Sequence, residues 1–145
     1  MRLLFVDDEP ENVELVARTL REALGADVQV VTTVEEAVAA LHSVAHGGAP
    51  IDLVVTDLFI PLGHEHGGAL GPRARRYAET LEHLGGLVLL DELDRVEPAP
   101  LLLAHTACTD RILIELLGER VVERVRKPAP TEVLLDAVLR ALRSR

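Results

Sequence analysis

The chain has 145 residues, a length typical of one domain with a full hydrophobic core. Its formal net charge of −9 argues against a large nucleic-acid interface, because phosphate contacts need a basic face. No apolar run approaches the roughly 18 residues of a membrane span. The single cysteine, Cys108, permits no internal disulfide and fits a reducing compartment. We therefore expect one cytoplasmic domain.

Strand and helix patterns alternate along the chain. Short apolar runs rich in β-branched residues predict buried strands, and apolar residues repeated every three or four positions predict amphipathic helices. In chain order these are a strand at 3–6, a helix from Pro10 to Gly25, a strand at 28–31, a helix opened by the Thr33–Glu36 capping box, a strand at 51–55, a polar helix at 73–83, a helix from Leu87 to near Pro98, a strand at 101–104, a helix at 110–117, a strand at 121–125 and a last helix capped by Thr131. This alternation implies a parallel sheet with helices on both faces.

Residues with polar or charged side chains follow the predicted strands. Asp57 stands where the central apolar run stops, and Pro61 prevents a helix from starting at once. Right-handed crossovers bring the C-terminal ends of parallel strands to one edge of the sheet, where sites are built. The side chains expected to meet at that edge are Asp7, Asp8, Asp57, Thr106 and Lys127.

The chemistry of this set points to phosphoryl transfer. Three carboxylates in one place repel one another unless a cation lies among them, and a hard divalent cation such as Mg²⁺ suits oxygen ligands. Thr106 offers a hydroxyl, and Lys127 offers a point charge suited to a phosphate oxygen. A carboxylate nucleophile, Asp57, beside such groups fits a reaction that depends on positioning and charge neutralisation.

Five motifs in this order resemble a response-regulator receiver domain, the CheY-like module of two-component signalling. They are Phe5–Pro10, Thr56–Pro61, Gly86–Leu90, His105–Ala107 and Arg126–Pro128. The resemblance implies a flavodoxin-like, doubly wound five-stranded parallel sheet of order 2-1-3-4-5 with helices on both faces. It covers nearly the whole chain, 1–145, as a single receiver domain, except for an insert after strand 3 at about 62–85.

The resemblance also implies which residues form the phosphoacceptor and metal sites. Asp57 would accept the phosphoryl group. Asp7 and Asp8 would hold Mg²⁺ together with Asp57 and the backbone carbonyl of Phe59. These assignments are expectations from the family pattern.

The same pattern implies further roles at five positions. Thr106 would be the switch hydroxyl, and Lys127 would bind a phosphoryl oxygen. The Lys127–Pro128 peptide bond would be cis, as X–Pro bonds tolerate at low cost. Phe59 and Cys108, each two residues beyond a site residue, would tune the rate at which the phosphoryl group is lost.

The sequence departs from the family pattern in two places. The insert at 62–85 is long for a loop in a compact domain; it could be a lid, a docking arm, an oligomer contact or a spacer. Arg124 stands where the family commonly has an aromatic residue whose rotation reports phosphorylation, so the usual coupling to Thr106 is in question.

We therefore expect a stand-alone phosphoacceptor served by a sensor histidine kinase, a phosphotransfer protein or a small phosphodonor. After Arg145 no residues remain for an output domain, so we expect the output to be a contact with a downstream protein or a homodimer, without direct binding to DNA or to a membrane.

Two alternatives stay open: a receiver-like interaction module that is never phosphorylated, and a Mg²⁺-dependent phosphohydrolase. The second lacks a proton donor, because Phe59 occupies the place of the general acid. The chain is not expected to be an enzyme beyond its own phosphorylation and dephosphorylation.

Overall fold

The structure is a computed structural model and describes residues 1–45, 48–63 and 70–144. Five parallel strands form one sheet in the order β2-β1-β3-β4-β5, which confirms the expected fold class and strand order. The strands are β1 Arg2–Val6, β2 Asp27–Val31, β3 Leu53–Thr56, β4 Leu101–Thr106 and β5 Val121–Arg126. The helices are α1 Glu14–Leu24, α2 Val34–Ala45, α3 Pro72–Arg75, α4 Gly85–Leu93, α5 Arg111–Leu117 and α6 Thr131–Arg143.

The sheet separates two hydrophobic cores. Successive side chains of a strand point to opposite faces, so neighbouring residues of β1 belong to different cores. Leu3 and Leu53 pack with α1 and α6 on one face, whereas Leu4 and Val54 pack with α2, α4 and α5 on the other. Burial of β1 and β3 on both faces holds their C-terminal ends rigidly in the middle of the molecule. Within the described ranges, no helix combines the length and apolar composition that crossing a membrane requires.

Local signals placed several helix ends correctly, but the helix predicted from Leu87 to near Pro98 is α4, Gly85–Leu93, which ends earlier than predicted. Gly25 ends α1 with a positive φ of 62°, a conformation that favours glycine. At the start of α2 the Thr33 hydroxyl accepts a hydrogen bond from Glu36 N at 3.1 Å. Asp110 caps α5 by accepting from the backbone N–H of Ile112. The predicted cap at Thr131 is wrong: Pro130, with extended ψ of 149°, precedes α6, so Thr131 is already the first helical residue.

The insert does not form the single helix predicted over 73–83. Its described part contains the short α3 and a separate 3₁₀ helix at Ala78–His83. The hydrogen bonds tighten to three-residue spacing where α3 ends, from Arg76 N to the Arg73 carbonyl and from Tyr77 N to the Ala74 carbonyl. Residues 64–69 of the insert lie outside the described residues.

Arg73 and Asp91 attach the insert to the body of the protein. Asp91, buried in α4, accepts hydrogen bonds from Ala74 N at 3.1 Å and from Arg73 Nη1 at 3.1 Å. Arg73 Nη1 also contacts Asp94 Oδ2 at 2.7 Å, and its Nε donates to the Leu116 carbonyl in α5 at 2.9 Å. The insert is therefore bonded to both α4 and α5 through one guanidinium group.

Candidate functional site

The ends of three strands meet at the C-terminal edge of the sheet. Strand register pairs Val6 with Thr56 and Thr56 with Ala104, so the residues that follow β1 and β3 lie side by side. Asp7 and Asp57 are those residues, and they are 2% and 5% exposed. Two carboxylates buried next to each other require a positive partner, because an unpaired buried charge is costly.

Lys127 supplies that positive charge. Its Nζ lies 2.7 Å from Asp7 Oδ2 and donates a hydrogen bond to Asp57 Oδ2 at 2.8 Å. The Lys127 backbone N–H donates to the Thr106 carbonyl at 3.0 Å, which places the loop after β5 against the end of β4. Burial acts to lower the pKa of Lys127, but the hydrogen bonds and charges of Asp57 and Asp7 outweigh it and raise the pKa. Lys127 is therefore a protonated bridge between the two acids.

The loop that follows Asp57 is held by the start of α4. Phe59 N donates to Asp57 Oδ1 at 3.1 Å, and Gly86 N donates to the Leu58 carbonyl at 3.1 Å. A Cβ on Gly86 would lie 2.6 Å from the Leu58 Cα and 2.7 Å from the Asp57 carbonyl oxygen, so only glycine fits here. Leu58 and Ile60 are buried while Phe59 is 40% exposed. The alternation turns the Phe59 side chain outward beside the Asp57 carboxylate.

A cavity of about 470 Å³ opens at this edge. Its lining residues are Asp8, Glu9, Asn12, Asp57, Phe59, His105, Ala107, Lys127, Pro128 and Ala129. Asp8 is exposed and lines the cavity. The carboxylate of Asp7 is buried and accepts a hydrogen bond from Glu9 N at 3.0 Å. Sequence reasoning did not single out Asn12. The short 3₁₀ helix Pro10–Asn12 brings Asn12 to the cavity. The sequence signal that could have predicted this position was Pro10 directly after the acidic end of a strand.

The donor set fits a hard divalent cation in chemical type. Carboxylates of Asp7, Asp8 and Asp57 and the carbonyl of Phe59 are oxygen ligands of the kind Mg²⁺ takes. Among the described residues, however, no three carboxylate, imidazole or thiol groups already form a metal site. Lys127 instead bridges Asp7 and Asp57, and each carboxylate oxygen keeps a further lone pair. Which of these residues hold a metal stays a prediction.

Thr106 and Cys108 lie together in the loop after β4. Thr106 is 1% exposed, and its hydroxyl accepts a hydrogen bond from Cys108 N at 3.2 Å. Cys108 is buried as a small core residue. Thr106 itself does not belong to the residues that line the cavity, although its neighbours His105 and Ala107 do, and its hydroxyl is engaged by its own loop.

Two further site predictions have structural outcomes. The Lys127–Pro128 peptide bond is cis, as expected. Arg124 is exposed on β5 and faces away from the core, in keeping with the expectation that it cannot pack inward as an aromatic ring does.

His105 is packed in the interior without being hydrogen-bonded: neither ring nitrogen has a hydrogen-bond partner in the part of the chain that the structure describes. Its Nδ1 lies 4.0 Å from Asp7 Oδ2, beyond hydrogen-bond distance. Burial and the charge of Lys127 lower the pKa of His105, against Asp7 and Asp57, so the imidazole is neutral.

The fold and this edge define an α/β protein with an acidic pocket at the C-terminal ends of its strands. Solved structures with the same fold include several receiver domains. The signal receiver domain of a Vibrio parahaemolyticus protein aligns with a TM-score of 0.70 and 17% identity over 99% of this chain and 90% of that one. A CheY-like response regulator receiver domain from Methanospirillum hungatei aligns with a TM-score of 0.69 and 16% identity over 99% and 94%. This chain therefore has the fold of a response-regulator receiver domain.

A curated relative is similar in sequence as well. The transcriptional regulatory protein AruR of Pseudomonas aeruginosa is 35% identical over 98 residues, which cover 66% of this chain and 37% of that protein. The chain thus matches little more than a third of the length of that relative. No protein-family model matches the chain.

Proposed function

We propose that this protein is a phosphoacceptor of two-component signalling, in which Asp57 takes a phosphoryl group from a histidine kinase or a small phosphodonor. The observation that carries the proposal is the pairing of a buried carboxylate at a strand end with a lysine 70 positions away, at 2.8 Å. The pair lines an open cavity, so Asp57 can be reached from outside. Receiver-domain relatives support the same role.

In the proposed reaction an Asp57 carboxylate oxygen attacks the phosphorus atom of the donor. A bond forms between that oxygen and phosphorus, the bond to the donor's leaving group breaks, and the leaving group departs with its electron pair. Lys127, protonated and already beside Asp57, would stabilise the charge on a phosphoryl oxygen. The remaining negative charge, to which Asp7 and Asp8 contribute, would be neutralised in part by bound Mg²⁺.

The proposed output is a change in a protein-interaction surface formed by α5, β5 and α6. Residues 107–109 link Thr106 to Asp110, the cap of α5, so a shift of Thr106 would be passed directly to that helix. Ile112 on α5 and Val122 on β5 are 53% and 42% exposed apolar side chains that a partner could cover. The partner would be a downstream protein or a second copy of the chain, and direct DNA binding is not expected at a net charge of −9.

The test is to incubate the protein with acetyl phosphate and Mg²⁺ and to weigh it intact. Wild type should gain one phosphoryl group, and chelation of Mg²⁺ should abolish the gain. Asp57→Asn should gain nothing. Asp110→Asn is the matched control, because asparagine caps a helix as well as aspartate does, and it should gain as wild type does. An unmodified wild type, or equal gain in Asp57→Asn, would overturn the proposal.

A second candidate is an interaction module that is never phosphorylated. The exposed Arg124, at the position of the usual reporting ring, favours it, because the coupling to Thr106 then lacks its common partner. An unmodified wild type whose partner binding is unchanged in Asp57→Asn would select this candidate. Phe59, an apolar side chain at the cavity wall, offers no proton to a leaving group, which disfavours a multiple-turnover phosphohydrolase.

A further inference from the structure

His105 is a polar residue at a buried position of β4, where an apolar side chain would be expected. It follows the apolar run Leu101–Ala104 in β4, and its side chain is only 5% exposed. Neither ring nitrogen is hydrogen-bonded among the described residues. A buried polar group without a partner costs free energy, so its presence at this position calls for an explanation.

The carboxylate of Asp7 lies close to the imidazole. Nδ1 of His105 lies 4.0 Å from Asp7 Oδ2, and a shift of about 1 Å would bring the two atoms to hydrogen-bond distance. Asp7 Oδ2 is at present bound by Lys127 at 2.7 Å, and Oδ1 accepts from Glu9 N. A neutral imidazole carries one N–H and can serve as the replacement donor.

The need for a replacement donor arises from the position of Lys127. Its ammonium is shared between Asp7 and Asp57. A phosphoryl group on Asp57 adds strong acceptor oxygens beyond the carboxylate, which would draw the ammonium toward them. Asp7, at 2% exposure, would then keep a buried charge on Oδ2 with no donor from Lys127. Among the described residues, His105 stands 4.0 Å from Asp7 Oδ2 and can supply another donor after a small shift.

We propose that His105 is a positioning residue that donates a hydrogen bond to Asp7 once Lys127 turns to the phosphoryl group on Asp57. The bond holds the Asp7 carboxylate in one orientation, so it continues to face the cation bound in the phosphorylated pocket. Outer partners that orient a metal-binding carboxylate commonly contribute about 10-fold or more to metal affinity. This role rests on the proposed function.

The test compares His105→Leu, which removes the ring nitrogens, with His105→Asn, whose side-chain nitrogen stands near the place of Nδ1. Mg²⁺ binding is measured by calorimetry with and without beryllofluoride, which mimics the phosphoryl group. In the presence of beryllofluoride, His105→Leu should bind Mg²⁺ about 10-fold more weakly than wild type, and His105→Asn should recover most of the loss. Without beryllofluoride all three should bind alike. His42→Leu, on the exposed side of α2, controls for the loss of a histidine.

Each outcome bears on a different claim. Equal affinity of His105→Leu and wild type would overturn the role of His105, as would equal weakening in His105→Leu and His105→Asn, which would show a packing effect alone. The mass gain of wild type with acetyl phosphate is measured on the same preparation. If wild type gains no phosphoryl group, the proposed function fails and the role of His105 fails with it. A normal mass gain beside an unaffected His105→Leu overturns only the present inference.

Discussion

The ammonium of Lys127 lies 2.8 Å from the carboxylate of Asp57 and 2.7 Å from that of Asp7. One cation thus serves two buried acids that follow adjacent strands. The two ion pairs of Lys127 stabilise the fold, and they also form the part of the site where charge can be redistributed. The stability of the fold and the chemistry of the pocket are linked through this single side chain.

Replacing Lys127 with methionine should therefore destabilise the protein. Removal of one member of a buried ion pair leaves the others uncompensated, and the expected loss is about 3 kcal/mol in the free energy of unfolding, measured in urea at neutral pH. Adding Asp57→Asn to Lys127→Met should recover part of the loss, because one of the two repelling charges is removed. A double variant no more stable than Lys127→Met would contradict this account of the site.

The anchor of the insert gives a second prediction. Arg73→Ala removes the contacts of its guanidinium group to Asp91, Asp94 and the Leu116 carbonyl, and it should cost about 2 kcal/mol in the free energy of unfolding. Burial acts against the charge of Arg73, but the hydrogen bonds and charges of Asp94 and Asp91 outweigh it and raise its pKa.

The matched control for Arg73 is Arg95→Ala. Arg95 is 59% exposed and pairs with Glu92, three residues earlier, at 3.4 Å, so its removal should cost about 0.5 kcal/mol or less. Urea unfolding of both variants tests the comparison. Equal effects of the two substitutions would show that the insert is not held by Arg73.

Phe59 is expected to limit the access of water to phosphorylated Asp57. Its side chain is 40% exposed and lines the same cavity as Asp57. Phe59→Ala should make the decay of the aspartyl phosphate several-fold faster, followed by intact mass after removal of the phosphodonor. Ile112→Ala, also an exposed apolar residue but on α5, should leave the decay unchanged. A decay in Phe59→Ala equal to that of wild type would count against this role.

The cap of α2 gives a prediction about pH. The pKa of Glu36 is lowered from its ordinary 4.5, chiefly because its carboxylate accepts a hydrogen bond from the Thr32 hydroxyl. Burial of the carboxyl group has a smaller effect in the opposite direction. A carboxyl group with a lowered folded-state pKa stabilises the fold above its unfolded-state pKa, and that contribution is lost as pH falls through the folded-state value.

Glu36→Ala should therefore be less stable than wild type at pH 7, and the difference should shrink as the pH falls below about 4.5. Denaturation in urea across this range is the measurement. Glu132→Ala, an exposed acid in the first turn of α6, is the control. A difference between Glu36→Ala and wild type that stays constant across the range would rule out the ionised cap.

Local rules predicted the elements well wherever they acted alone. Gly25 and Asp110 mark helix ends because their chemistry suits those ends without help from other elements. Thr131 failed as a cap because Pro130 already ends the extended segment before it. The helix predicted over 73–83 failed: Asp91, an acceptor in another helix, holds only the first turn of α3, and three-residue hydrogen bonds follow from Arg76 onward.

The sequence by itself determined which residues could reach the site. Alternating apolar patterns define a parallel sheet, and a parallel sheet brings Asp7, Asp57 and Lys127 to one edge whatever the details of packing. Only the tertiary structure decided how these groups share their charges: that Lys127 bridges both acids and that His105 stops 4.0 Å short of Asp7. The alternation of strands and helices follows from patterns along the chain and the strand order from the resemblance to a known family, whereas distances of a few ångströms between side chains follow from the packing of all the elements together.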